Sequence, residues 1–202
     1  MPGRRRSASA RSGDADARAD RPDEADDPES VARLICLRLL TAAPRTRAQL
    51  ADTLRRRGVP DDAATAVLAR FAEVGLIDDA MFASTWVESR HYGRGLGRRA
   101  LAAELNQRGV DRNDIEAAVA QLSPETELAT ARALVGRRLA STAGQPAPVR
   151  IRRLAGMLAR RGYPAGLAYR VVREALEQEG RDQDAGIDDE IFEAEFVDGE
   201  QA

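Results

Sequence analysis

Apolar positions along this chain fall at helical spacing, and one pattern recurs. Leu101, Leu105, Gly109 and Val110 are spaced L-x3-L-x3-G-V. Leu50, Leu54, Gly58 and Val59 repeat that spacing 51 residues earlier, and Leu154, Leu158, Gly162 and Tyr163 repeat it 53 residues later. Two leucines four apart share one helix face. A glycine four residues on can take the left-handed conformation that ends a helix without steric cost. The segments after each glycine align as well. Ala64, Val67 and Leu68 match Ile115, Ala118 and Val119, and these match Ala168, Val171 and Val172.

The other elements fall around these copies. From Pro28, the stripe Val31, Leu34, Ile35 and Leu39 predicts a first helix to about Ala42, which Pro44 breaks. Thr46 and Gln49 form a capping box for the second helix, and Pro60 suits the first turn of a third. Asp78 is a candidate N-cap for a second unit with the face Phe82, Trp86 and Val87. His91 to Gly97, HYGRGLG, reads as a glycine-rich loop before the central copy. Ser123-Pro124 opens a third unit, and a loop from Ser141 to Pro148 precedes its repeated helix. No stretch of this body alternates with the period of a strand.

The expected fold is therefore all-α: three tandem three-helix repeats, 28–77, 78–122 and 123–180, in an elongated, curved helical array. Disordered tails are expected at 1–27 and 181–202. The first has almost no large apolar residue with which to offset ordering entropy. The second carries Ile187, Ile191, Phe192, Phe196 and Val197, too few for a core. It reads either as a solvated tail or as an acidic-hydrophobic strip that folds back on the body or docks on a partner.

Charge changes this picture. The net charge of −2 conceals an asymmetry. Residues 181–202 hold nine acids and one arginine, and residues 1–27 hold seven acids and six arginines, which leaves 24 arginines and 17 acids in the body, a net of +7. A basic body points to an anionic partner. The chain has no lysine, so all 31 basic residues are arginine, a sign of a GC-rich genome that weakens any argument from arginine count alone.

Several chemistries are excluded. There is one histidine, His91, and one cysteine, Cys36, so neither a histidine cluster nor a thiolate zinc site can form. Cys36 lies in an apolar run and reads as a small core residue. Gly93, Gly95 and Gly97 lie between helices and not after a strand, the wrong context for a nucleotide loop. Acid pairs such as Asp61-Asp62 sit at helix starts, where the dipole favours them. The expectation is a non-enzyme with no catalytic residue, metal or cofactor. No apolar run approaches the ~20 residues of a membrane span, and no apolar segment of a signal peptide follows the N-terminal arginines. The expected location is the cytoplasm.

Arginine recurs in two places per repeat. Arg57, Arg108 and Arg161 precede the glycine, where a helix C-terminus favours a cation by ~0.3–1 kcal/mol. Arg45 and Arg47, Arg98 and Arg99, and Arg150, Arg152 and Arg153 stand at the helix starts, where the dipole disfavours them. Two readings stand side by side for the second group. The arginines and free amides form anion sites, or they pair with acids of a neighbouring helix. Tyr92 and Arg94 would sit on a mobile basic loop, a place that often carries contacts, or on a plain connection. Phe82 and Trp86 read as core.

These residues bring a family into view. Gly75-Leu76-Ile77-Asp78-Asp79, Phe82-Ala83, Trp86-Val87, Arg90, Gly97, Arg98, Leu101, Glu104-Leu105, Arg108 and Gly109-Val110 resemble the RecX family of bacterial regulatory proteins. The triple repeat extends the resemblance over about 30–180, and the two tails lie outside it. The resemblance implies a modular helical protein that binds the RecA recombinase as a filament on single-stranded DNA. It implies inhibition of RecA's ATP hydrolysis, strand exchange and co-protease activity, tempering recombination, DNA repair and the SOS response. The family has no catalytic residues. A monomer is expected, with DNA phosphate within reach of its arginines. The alternatives are a general DNA-binding protein of helix-turn-helix-like units and a helical scaffold for some other protein.

Overall fold

The computed structural model describes residues 27–197, with side chains as far as Arg181. Among the described residues there are nine α-helices and no strand. Helices α1 (Pro28–Ala42), α2 (Arg47–Arg56) and α3 (Asp61–Glu73) form the first unit. The second comprises α4 (Asp79–Arg94), α5 (Arg98–Gln107) and α6 (Arg112–Ala120). The third comprises α7 (Pro124–Leu139), α8 (Ala147–Arg160) and α9 (Ala165–Val197). Helix α9 thus passes the expected limit of its unit at residue 180. Residues 1–26 lie outside the description, as do the side chains of the acidic segment. The expected tails and the fold-back of the acidic strip fall there. Asp27, expected in the first tail, caps α1 by accepting the amides of Glu29 and Ser30.

Local sequence explains the helix ends. Thr46 and Gln49 close a reciprocal capping box on α2, and Asp78, Asp111 and Ser123 cap α4, α6 and α7 through their side chains. The three repeat glycines, Gly58, Gly109 and Gly162, all have positive φ, at 76°, 74° and 87°. After each, the next residue's amide reaches back to the second leucine's carbonyl: Val59 to Leu54, Val110 to Leu105 and Tyr163 to Leu158. The repeat is therefore one object in three copies.

Each unit has its own core. In the first, Leu50, Leu54, Val67, Leu68 and Phe71 pack with Ala32 and Cys36. In the second, Leu101 and Leu105 pack with Ala83, Val87, Ile115 and Ala118. In the third, Leu154 and Leu158 pack with Val135, Tyr163, Val171 and Val172. All six repeated leucines are buried, each removing apolar surface worth ~1.5–3 kcal/mol. Burial raises the Cys36 thiol, as suits an inert core cysteine. Phe82 and Trp86 are only partly buried. They stack on each other with ring centroids 5.7 Å apart, and the guanidinium carbons of Arg108 and Arg90 lie 3.7 and 4.1 Å from the Trp86 ring centroid. The Trp86 Nε1–H donates to Glu104 at 2.8 Å.

The reading of HYGRGLG as a seven-residue loop is corrected. His91 to Arg94 form the last turn of α4, and the stop is Gly95, in the left-handed region at φ 63°. One interior glycine, Gly93, is tolerated at a cost of ~1 kcal/mol. The short link that remains is pinned. The Arg94 carbonyl accepts from Arg161, the Gly95 carbonyl accepts from the Tyr163 hydroxyl at 3.2 Å, and the Leu96 carbonyl accepts from His91 Nδ1 at 2.9 Å. The Nε2 atom of His91 meets Thr130 Oγ1 of α7 at 2.9 Å, so the only histidine is buried in the joint between the second and third units. The loop before α8 is shorter than expected too. Ala140–Thr142 continues α7 as a 3-10 turn, and α8 opens at Ala147 with Pro148 in its first turn.

Candidate partner-binding surface

The arginines expected at three helix starts have different surroundings, and one placement is corrected: α8 opens at Ala147, so Arg150 lies in its first turn and Arg152 and Arg153 in its second. Arg98 answers the choice between anion site and internal pairing in favour of pairing. Its backbone amide donates to Glu127 Oε1 at 3.0 Å, its Nε lies 3.4 Å from Glu127 Oε2, and its Nη2 donates to the Leu122 carbonyl. Glu127 is buried in the start of α7, so this pair ties the second unit to the third. Arg150 is committed as well. Its Nη1 lies 2.6 Å from Glu179, and its Nε donates to Thr142 Oγ1 at 3.0 Å. Neither is available to an outside anion.

Arg45 and Arg47 are separate from the other sites. Arg45 lines an apolar groove of about 420 Å³ with Leu40, Leu76, Met81, Phe82 and Trp86, between the first two units. Arg47 is exposed, and its backbone amide donates across the joint to Asp79 Oδ1 at 2.9 Å. Burial raises the Asp79 carboxyl, and this amide bond opposes that shift. Arg99 is exposed.

Arg152 and Arg153 are exposed and have company. With Arg138 and Arg160 they line a groove of about 500 Å³ over Met157. It runs into a second hollow of about 690 Å³ that shares Arg138 and Met157 and adds Tyr92, Arg94, Arg137 and Arg161. Seven arginines from α4, α7, α8 and the cap of α8 thus converge on one surface, and among the described residues no acid lines either hollow. Tyr92 projects at the rim, 72% exposed. Among the described residues, Arg137, Arg138, Arg152, Arg153 and Arg160 have no carboxylate within ion-pair distance. Like charges concentrated in this way repel one another and favour an anionic occupant.

Sequence reasoning placed Tyr92, Arg94, Arg152 and Arg153 among the candidates, and the fold brings these four to one surface. It missed Arg137, Arg138 and Arg160, and it assigned Arg161 to the helix dipole. The available signal was the pair of dipeptides Arg137-Arg138 and Arg160-Arg161, each at the end of a helix. Their convergence depends on how α7 and α8 pack.

The chain matches the models for all three domains of one family. Residues 32–71 match the first three-helix domain of RecX, 78–119 the second and 125–172 the third. The Regulatory protein RecX of Thermobifida fusca is 65% identical over 173 residues, covering 84% of this chain and 94% of that one. That of Streptomyces lividans is 59% identical, covering 82% and 88%. That of Mycolicibacterium smegmatis is 48% identical, covering 80% and 90%. Two solved structures share the fold. RecX from Lactobacillus salivarius has a TM-score of 0.69 at 18% identity, covering 73% of this chain and 96% of that one. Another regulatory protein RecX has a TM-score of 0.66 at 22% identity, covering 73% and 72%. With three matching domains in order and close relatives along most of its length, the chain belongs to the RecX family of regulatory proteins.

Proposed function

We propose that this chain binds the RecA recombinase, chiefly as its filament on single-stranded DNA, and inhibits it. Inhibition would extend to ATP hydrolysis, strand exchange and co-protease activity, and so would temper recombination, DNA repair and the SOS response. The chain would act in the cytoplasm as a monomer, without a cofactor and without chemistry of its own. The observation that supports the reading is the arginine surface across the second and third units, lined by no acid among the described residues, in a chain of this family. A filament on DNA offers such a surface both carboxylates and phosphates, and arginine binds either through paired donors. No helix among the described residues is long and apolar enough to cross a membrane.

The test is RecA's ATPase rate on single-stranded DNA with this protein titrated in. Loss of activity well below one molecule per RecA supports action on the filament as a whole. No loss at excess and moderate salt contradicts the proposal. The same arginine surface favours a second reading, general DNA binding. Binding through phosphates alone weakens steeply with salt, with a log–log slope of about −0.9 per phosphate neutralised on duplex DNA. It would also need no RecA.

A further inference from the structure

The arginine surface of the third unit is basic at its walls and apolar at its floor. Met157 lines both hollows, with Leu154 in one and Leu96 and Leu134 in the other. Such a surface suits an acidic peptide that carries large apolar residues between its acids. The chain contains one. Residues 182–202 hold nine acids and no arginine, interleaved with Ile187, Ile191, Phe192, Phe196 and Val197. The side chains of this segment lie outside the described residues, as does all of 1–26. The N-terminal stretch is a poor complement, with six acids against six arginines and Met1 as its one large apolar residue.

The acidic segment also leaves the body at the edge of this surface. Glu179, three residues before it, holds Arg150 Nη1 at 2.6 Å. Arg150 Nε in turn donates to Thr142 Oγ1 at 3.0 Å, and Thr142 lines the same hollow as Arg152 and Arg153. The backbone of α9 runs on to Val197, yet the sequence there is ill suited to a free helix. Gly180 and Gly186 weaken it, and Asp184 with Asp188 and Asp189 with Glu193 put like charges four apart. Reach is ample. The 21 residues from 182 to 202 span ~70 Å when extended. The 14 residues of α8 span only ~21 Å.

We propose that residues 182–202 turn back and dock on the arginine surface of the same chain, where they compete with the anionic partner. Each exposed pair of acid and arginine is weak, so the contact is reversible. Tethering offsets that weakness, because a flexible link gives an effective concentration on the order of millimolar. The inference rests on the RecA reading above only for the partner that is displaced.

A fluorescein-labelled peptide of residues 182–202 tests the docking without RecA, by anisotropy at low salt. The full-length chain with the nine acids of 182–202 changed to Asn or Gln should bind the peptide. Arg152→Glu with Arg153→Glu in that neutralised chain should weaken binding at least about tenfold. The unaltered chain, its surface already occupied, should also bind at least about tenfold more weakly. Cooperative unfolding shows that each variant is folded. No binding by the neutralised chain overturns the proposal, as does binding that survives the arginine reversal. Equal binding by the unaltered and neutralised chains overturns it too. A dimer in sedimentation that neutralisation abolishes would make a second copy the occupant and overturn the docking in one chain. RecA's ATPase on single-stranded DNA then separates the two readings. The neutralised chain should inhibit at about tenfold lower concentration than the unaltered one, and equal inhibition overturns the competition. If neither inhibits while the peptide results hold, the RecA reading fails and the docking stands.

Discussion

The arginines that precede the first repeated leucine in α5 and in α8 have opposite fates. At α5, Arg98 is held by the buried Glu127 and the Leu122 carbonyl, inside the joint with the third unit. At α8, Arg152 and Arg153 face solvent among five other arginines. The start of α5 is part of the joint with the third unit, and Arg98 is structural there while Arg99 stays exposed. Among the described residues Arg152, Arg153 and Arg160 of α8 have no carboxylate at ion-pair distance, while Arg150 is held by Glu179. Arg98 stands at the first position of α5, whereas Arg152 and Arg153 lie in the second turn of α8, beyond the N-terminal amides, so the conflict with the helix dipole falls on Arg98 and is met there by Glu127.

Mutations can break or sharpen that contrast. The largest expected effect is in the shared core. Leu105→Ala should cost ~2–5 kcal/mol, because the side chain is fully buried and leaves a cavity. Chemical denaturation measures it, and a loss below ~1 kcal/mol would mean the repeated leucines are not core. Glycine substitutions come next. Gly58→Ala should cost ~1–2 kcal/mol, the strain of a left-handed non-glycine residue. Gly162→Ala should cost ~1–3 kcal/mol more, because its Cβ would also overpack against Ala100. Equal losses at the two sites would deny that the second joint is tight.

Glu127→Gln should cost ~1–3 kcal/mol by weakening the support of Arg98 in the joint. The corresponding change outside the joint, Arg152→Glu with Arg153→Glu, should move stability by no more than ~0.5 kcal/mol. Thermal unfolding of the two side by side checks the contrast. A subtler effect concerns Tyr163, whose phenol is pushed up to about 12 by burial beside Glu127. Its unfolded counterpart ionises near 10. The unfolded chain therefore loses the proton first, and stability should fall as pH rises from about 10 to 12. Unfolding midpoints across that range test this, and Tyr163→Phe should remove that part of the pH dependence.

Much of the fold was legible because it is local. Leucine spacing, Thr46 with Gln49, Ser123-Pro124 and the repeat glycines each act within a few residues. HYGRGLG misled because three glycines in seven residues look like a loop, while only Gly95 and Gly97 lie outside the helix. The candidate surface was half legible. Arg152 and Arg153 were singled out as cations at a helix start, although α8 opens at Ala147 and carries them in its second turn. Arg137, Arg138 and Arg160 were not, because two helix ends far apart in sequence meet only after α7 packs on α8. The commitment of Arg98 was hidden for the same reason, since Glu127 lies 29 residues away and only tertiary packing buries it beside the arginine.

The most direct test of the central claim sets the unaltered chain beside Arg152→Glu with Arg153→Glu in one assay, RecA's ATPase on single-stranded DNA. The account predicts inhibition by the first at substoichiometric amounts. The second, equally helical and equally stable, should need at least about tenfold more protein, the loss of ~1.4 kcal/mol of charged contact. Equal inhibition by the two would contradict the claim that the free arginines of the last unit carry the partner contact.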